Sequence, residues 1–313
     1  MKLNYKILWI DDQIEDYIDM GIKSELETYI ESLAFIPTVE CFENGNLAEE
    51  SIKSIKYDLI LSDYNIEGTN EQGDVLIQKI RDGGIFTEVL FYSAQPDFDS
   101  IAKNLYRDRV SFYSLIGDEG FKGFKEKTVK LIDHTVSKLQ ELNNIRGLVM
   151  AETSELDNIV EEMLFSFLSK TNEKSKTLKE YIVEIIISSS QGNLKQAQKL
   201  NDLDTYGLVK SRIFDADKKS RSINKLLELL ELKESVFVEF YKNYKTDVLD
   251  TRNDLAHAKS DVIDGVEYLI ISKKGEEHPI KFNQEHCILI RKNLRNQTDI
   301  LKRIKEILSS HIN

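Results

Sequence analysis

"YDLILSD", residues 57–63, is an apolar run of β-formers closed by a serine and an aspartate. Apolar residues at successive positions, rather than at every second one, suit a strand covered on both faces. Two other stretches follow the same plan. "YKILWID" (5–11) ends in Asp11 with Asp12 beside it, and "EVLFYSA" (88–94) carries Ser93 near its end. "TVECF" (38–42) and "RVSFYSLI" (109–116) supply two further strands. Helical spacing occupies 14–33, 46–56 with Asn46 as its start, and "GDVLIQKIRDG" (73–83). Strands alternating with helices predict an α/β fold, a doubly wound parallel sheet of five strands with helices on both faces. Ligands in such sheets bind beyond the carboxyl ends of the strands. Here those ends hold Asp11, Asp12, Asp63 and Ser93.

Carboxylates gathered at one place repel one another and attract a hard cation with oxygen ligands, most naturally Mg²⁺. This constellation resembles the receiver domain of two-component response regulators, a flavodoxin-like fold. The resemblance covers about residues 1–130, and the receiver-like domain is placed at 1–125. It implies that Asp11 and Asp12 are the acidic pair that binds Mg²⁺ and that Asp63, in "LILSDYNIEG", accepts phosphate. Asn65 then supplies a backbone carbonyl to the metal, and Ser93 the hydroxyl that follows phosphorylation. Gly68 and Gly73 fall where the family's loop turns. Phe112 or Tyr113 serves as the aromatic switch, and Tyr113 is taken for it here. The implied partner is a sensor histidine kinase. A carboxylate beside a cation can accept a phosphoryl group because the cation neutralises charge during transfer. The added charge of about −1.5 to −2 is enough to bias a loop or an interface.

Two departures stand out. The family places a lysine after the last strand, and "SFYSLIGDEG" (111–120) offers none, with Lys122 too late. The proline usual after the phosphorylated aspartate is also missing. A receiver-like scaffold kept for dimerisation therefore stands as the other reading.

Composition agrees with a soluble, two-domain chain of 313 residues, 41% hydrophobic and 31% charged. Three prolines and 14 glycines leave no room for long low-complexity linkers. Cys41 and Cys287 lie too far apart in sequence for a disulfide framework or thiolate cage, so a reducing cytoplasm is the expected compartment. No apolar run is long enough to span a membrane, and two aspartates interrupt the N-terminus before any signal-peptide core. Residues 1–123 carry 11 Lys and Arg against 24 Asp and Glu, whereas residues 124–313 carry 31 against 30. The acidity lies in the first part, which disfavours nucleic acid there but not in the second. No glycine-rich phosphate loop occurs, which argues against a nucleotide-driven motor or kinase. Trp9 reads as core.

From Phe124 the period becomes helical. "FKEKTVKLIDHTVSKLQELNNI" (124–145) places Val129, Ile132, Val136, Leu139 and Leu142 on an approximate heptad seam. Residues 126–150 are read as a linker helix leading out of the first domain, and 151–313 as a helical output domain. Helices are expected at 154–170, with Asp157, Glu161 and Glu162 on the polar face, and at 177–190, 222–232, 235–259 and 284–310. "GVEYLIISKKGEEHPIKFN" (265–283) alternates, turns and alternates again, which predicts a β-hairpin. The basic patches "KKSR" (218–221) and "ISKKG" (271–275) are candidate phosphate contacts. His134, His278, His286 and His311 show no metal-ligand spacing.

"TRNDLAHAK" (251–259) holds the remaining chemistry. Thr251 and Asp254 match a capping box, and Asn253 and His257, four apart, share a helix face. Histidine exchanges protons near neutral pH, and arginine offers a fixed fork of donors to a phosphate. Together they are the minimum for cleaving RNA without a metal. The stretch resembles the R-x4-H signature of HEPN domains, helical modules that include metal-independent ribonucleases. That resemblance covers roughly 150–313 and implies Arg252, Asn253 and His257 as catalytic residues, RNA as substrate, a homodimer with a shared cleft, and no cofactor for the output domain. The competing reading is a non-catalytic signalling adaptor whose helical half binds a protein and in which His257 is structural. A DNA-binding output is disfavoured because no strongly basic recognition helix appears.

Overall fold

The computed structural model describes residues 3–66, 75, 78, 81–82, 84–104, 109–170, 172–189, 204–264, 266–273 and 276–310. Two compact units divide the chain, residues 1–144 and 145–313.

The first unit is built on five parallel strands: β1 (Asn4–Ile10), β2 (Ile36–Phe42), β3 (Leu59–Asp63), β4 (Glu88–Ser93) and β5 (Val110–Ser114). They lie in the order β2-β1-β3-β4-β5. This is the doubly wound, flavodoxin-like order, with its switch point between β1 and β3. Side chains alternate faces. Leu8, Ile10, Ile60, Val89 and Phe91 meet Ala48, Ile52 and Phe98 on one side. Those partners come from α3 (Gly45–Ser54) and α4 (Phe98–Asn104). Trp9 and Tyr92 face the other side, against Phe124.

Local differences from the sequence reading have physical causes. The helix expected at 14–33 is two, α1 (Ile14–Asp19) and α2 (Ile22–Ser32), because Gly21 adopts a left-handed φ of 77° between them. Asn44, not Asn46, starts α3, its side chain accepting from the Leu47 N–H at 3.1 Å. Helix α4 was not anticipated. Gly68, Gly73 and most of the helix expected at 73–83 lie outside the described residues.

The stretch that carries the heptad seam divides between α5 (Gly120–Leu139), which ends at a Gln140 cap, and α6 (Leu142–Leu168). Phe124, Ile132 and Val136 are buried. Tyr29 donates to Asp133 at 2.5 Å, Tyr5 bonds Thr135, and Lys138 lies 3.2 Å from Glu88. Phe124, Ile132 and Val136 therefore belong to the core of their own unit, while Leu139 of the seam is exposed.

The second unit is mainly helical. After α6 come α7 (Glu173–Ser189), α8 (Thr205–Val209), α9 (Ala216–Leu229), α10 (Ser235–Val238), α11 (Phe240–Tyr244), a π-helical turn at Lys245–Asp250, α12 (Thr251–His257) and α13 (Gln284–Ser310). The hairpin is present as β7 (Val266–Lys273) and β8 (Glu276–Lys281), and β6 (Lys259–Ile263) adds a third antiparallel strand beside β7. All five β6 residues are exposed, so no burial pattern marked that strand in advance. Among the described residues no helix is long and apolar enough to cross a membrane.

Candidate functional site

Strand register assembles the acidic cluster. Ile10 pairs with Ser62 and Asp63 with Tyr92, so Asp11, Asp63 and Ser93 emerge together at the carboxyl edge. Asp11, Asp12, Asp16, Asp63, Asn65 and Ser93 line one cavity of about 350 Å³, with Gln13, Tyr17, Ala94, Gln95, Leu115 and Phe121 completing it. Among the described residues, no Lys or Arg lines it. Leu115, just past the end of β5, lines it. Lys122 is turned to solvent 3.9 Å from Glu126.

Each side chain is held differently. Asp11 is 3% exposed; its Oδ1 accepts from the Gln13 N–H at 2.7 Å and its Oδ2 from the Tyr92 hydroxyl at 2.5 Å. Burial nevertheless raises its carboxyl above the ordinary range. Asp63 accepts from the Asn65 N–H at 3.0 Å. Burial first and the Asp11 charge second push its carboxyl up to about 7. Buried carboxylates with no compensating cation are costly as charges, and that cost is what a bound cation removes. Ser93 is 1% exposed, and its Oγ accepts from the Gln95 N–H at 3.2 Å.

These residues fit Mg²⁺ in donor chemistry. Among the described residues no group of three or more His, Cys, Asp or Glu is placed to hold a metal ion outright. Mg²⁺ commonly takes only one or two carboxylates and keeps several waters, so an open half-ring of this kind suits it better than a closed cage.

Tyr113 lies apart from the cavity lining. Its hydroxyl donates to the Gly120 carbonyl at 3.0 Å, over α5. Phe112 faces the opposite side of the sheet, stacked on Phe91 at 6.2 Å.

No family model matches the chain. No curated protein matches it either. Among solved structures, the receiver domain of a Francisella response regulator is 17% identical over 43% of this chain and 98% of its own, at a TM-score of 0.34. The Thermotoga maritima response regulator TrrA, solved in complex with Mg²⁺ and BeF, is 21% identical over 41% of this chain and 98% of its own, at a TM-score of 0.32. The signal receiver domain of an HD domain-containing protein from Pseudomonas fluorescens is 18% identical over 45% and 96%, at a TM-score of 0.33. The fold assignment rests on this chain's own strand order.

In the second unit, Arg252, Asn253 and His257 share the short helix α12. It starts no fresh turn at Thr251: the backbone runs on from the π-helical turn in αR geometry, and the Thr251 hydroxyl donates to the Thr246 carbonyl at 3.3 Å. The expected capping box is therefore absent. Arg252 lies 3.8 Å from Asp157 of α6. It also borders a cavity of about 410 Å³ with Asn253, Arg221 and Lys245, where Asp217 and Asp250 partner the two cations. Asn253 and His257 are exposed, and His257 lies outside that cavity. The polar face of α6 is used for stapling, since Glu161 binds Lys219 at 2.6 Å and also Lys210, while Glu162 binds Lys305 at 2.6 Å.

Sequence reasoning missed Arg146. Its guanidinium donates to the carbonyls of Leu255 at 2.9 Å and Ala258 at 2.6 Å, closing the C-terminal end of α12. It missed Tyr92 and Tyr17 as well. Nothing in a strand of β-formers distinguishes a tyrosine whose hydroxyl reaches a carboxylate from one that only packs.

Proposed function

We propose that the first unit is a phosphate-accepting receiver and the chain a two-component response regulator. The observation that carries this reading is the convergence of Asp11, Asp12, Asp63, Asn65 and Ser93 on one cavity at the carboxyl edge of a 2-1-3-4-5 sheet. Asp11, Asp12, Asp63 and the Asn65 carbonyl would hold Mg²⁺. The cation supplies the positive charge that keeps these carboxylates ionised and offsets charge in transfer. The Asn65 N–H holds Asp63 Oδ2 at 3.0 Å, which orients the carboxylate that would attack phosphorus. The P–N bond of a kinase phosphohistidine breaks as the P–O bond to Asp63 forms. Ser93 then offers its hydroxyl to a phosphoryl oxygen. Among the described residues no lysine lines the cavity, so the charge that meets the phosphate would have to come from the cation.

For the output we propose metal-independent RNA cleavage by a homodimer. His257 takes the proton of a 2′-hydroxyl, the 2′-oxygen bonds to phosphorus, the bond to the 5′-oxygen breaks as that oxygen takes a proton from water, and Arg252 steadies the crowded phosphate while Asn253 orients it. Exposure of Asn253 and His257 on one helix face supports this reading. A second reading, a protein-binding adaptor, draws support from the Asp157–Arg252 contact and from the place of His257 outside the neighbouring cavity. The test is cleavage of mixed RNAs in chelator by the wild type and His257→Ala, each with and without prior treatment with a phosphodonor. Cyclic phosphate ends that vanish in the variant support the nuclease. Silence under both conditions supports the adaptor.

A further inference from the structure

We propose that Tyr92, backed by Trp9, is a positioning residue that fixes Asp11 for a divalent cation, and that Trp9 thereby reports cation binding. The assignment rests on the receiver reading of the same cavity. It begins with strand parity: Trp9 and Asp11 are two apart on the β1 line, and Trp9, Leu61 and Leu90 are in register. Tyr92, two beyond Leu90, therefore faces the same side as Asp11.

The Trp9 Nε1–H donates to Tyr92 Oη at 2.6 Å, and Tyr92 Oη donates to Asp11 Oδ2 at 2.5 Å. The polarity of this chain is fixed by chemistry. An indole nitrogen only donates and an ionised carboxylate only accepts, so the tyrosine proton points to Asp11. Trp9 and Tyr92 are fully buried. Phe124 packs on Tyr92 with ring centroids 4.6 Å apart, and Tyr17 packs on Trp9 at 5.1 Å. Neither ring has room to swing away. The Gln13 N–H holds the other oxygen of Asp11, so the carboxylate is pinned at both ends.

A ligand oriented by a buried donor loses little freedom when it binds metal, and such supporting contacts are typically worth about 10-fold to 100-fold in metal affinity. Tyr92→Phe keeps the ring and its packing but removes the hydroxyl. Trp9 is the only tryptophan of the chain, so its emission reads the same hydrogen-bonded line.

The experiment titrates full-length protein with Mg²⁺, following Trp9 emission and, independently, heat of binding. Tyr92→Phe is compared with Phe124→Leu, which loosens the aromatic packing and leaves the hydrogen bonds in place. The proposal expects a saturable emission change in the wild type, affinity about 10-fold to 100-fold weaker in Tyr92→Phe, and near wild-type affinity in Phe124→Leu. Equal affinity in wild type and Tyr92→Phe overturns the assignment alone. So does an equal loss in both variants, which makes Tyr92 a packing residue only. Absence of any binding heat in the wild type overturns the assignment and the receiver reading together.

Discussion

Between about pH 4 and pH 7 Asp63 holds a proton in the folded protein that it loses in the unfolded one, because burial and the Asp11 charge move its carboxyl from 3.8 to about 7. The stability this contributes is fully present below the unfolded value and is lost as pH rises through the folded value. Without divalent cations, the first unit should therefore weaken between about pH 4 and pH 7 and level off above. Mg²⁺ competes with that proton, so its stabilising effect should be larger at about pH 8 than at about pH 5. Asp63→Asn should flatten both dependences; thermal unfolding across pH, with and without Mg²⁺, measures them. In the second unit, Arg146→Ala should cost about 1.5–3 kcal/mol per charge-assisted bond lost, because two carbonyls at the end of α12 lose their donor. Urea denaturation of the variant checks this, and an unchanged midpoint would contradict it. The acids of the cavity were legible in the sequence because they close strands of buried residues. Arg146 and Tyr92 were not, since each acts on a partner far along the chain, Tyr92 on Asp11 and Arg146 on Leu255 and Ala258.

At the scale of elements, α5 and β5 meet through one close approach. A Cβ built on Gly123 would stand 2.1 Å from the Tyr113 hydroxyl. Gly123→Ala should cost about 1–3 kcal/mol by overpacking, and Tyr113→Phe in the same chain should recover much of it. A double-mutant cycle by denaturation tests this, and strict additivity would sink it. Strands β1, β3 and β4 were legible to within a few residues because they are runs of largely buried β-formers, while β2 and β5, half-buried throughout, showed only as β-forming stretches between helices. The apolar seam of 124–145 did not show by itself what it would cover. An apolar stripe fits a partner helix or a sheet equally well, and only three-dimensional placement shows that Ile132 and Val136 are already covered. Strand β6 escaped notice because all its side chains face solvent.

The whole molecule divides its charge as it divides its chain. With 24 acidic residues against 11 basic over residues 1–123, the first unit should repel polyanions, while the balanced second part has no such barrier. On the nuclease reading, a fragment spanning 145–313 should retain labelled RNA and release it as salt rises, and a fragment spanning 1–144 should not. Filter binding over a salt series separates the two, and retention by the acidic fragment would contradict the account. The fold class and the acidic cavity were legible from one chain; the chemistry of the output rests on a single helix, which is too short to constrain it. The central claim is that Asp63 accepts phosphate with the help of a divalent cation. Intact mass measured after incubation with acetyl phosphate tests it most directly. The account predicts a gain of one phosphoryl group that requires Mg²⁺ and disappears in Asp63→Asn, whereas an unmodified wild type, or equal modification of the variant, would contradict it.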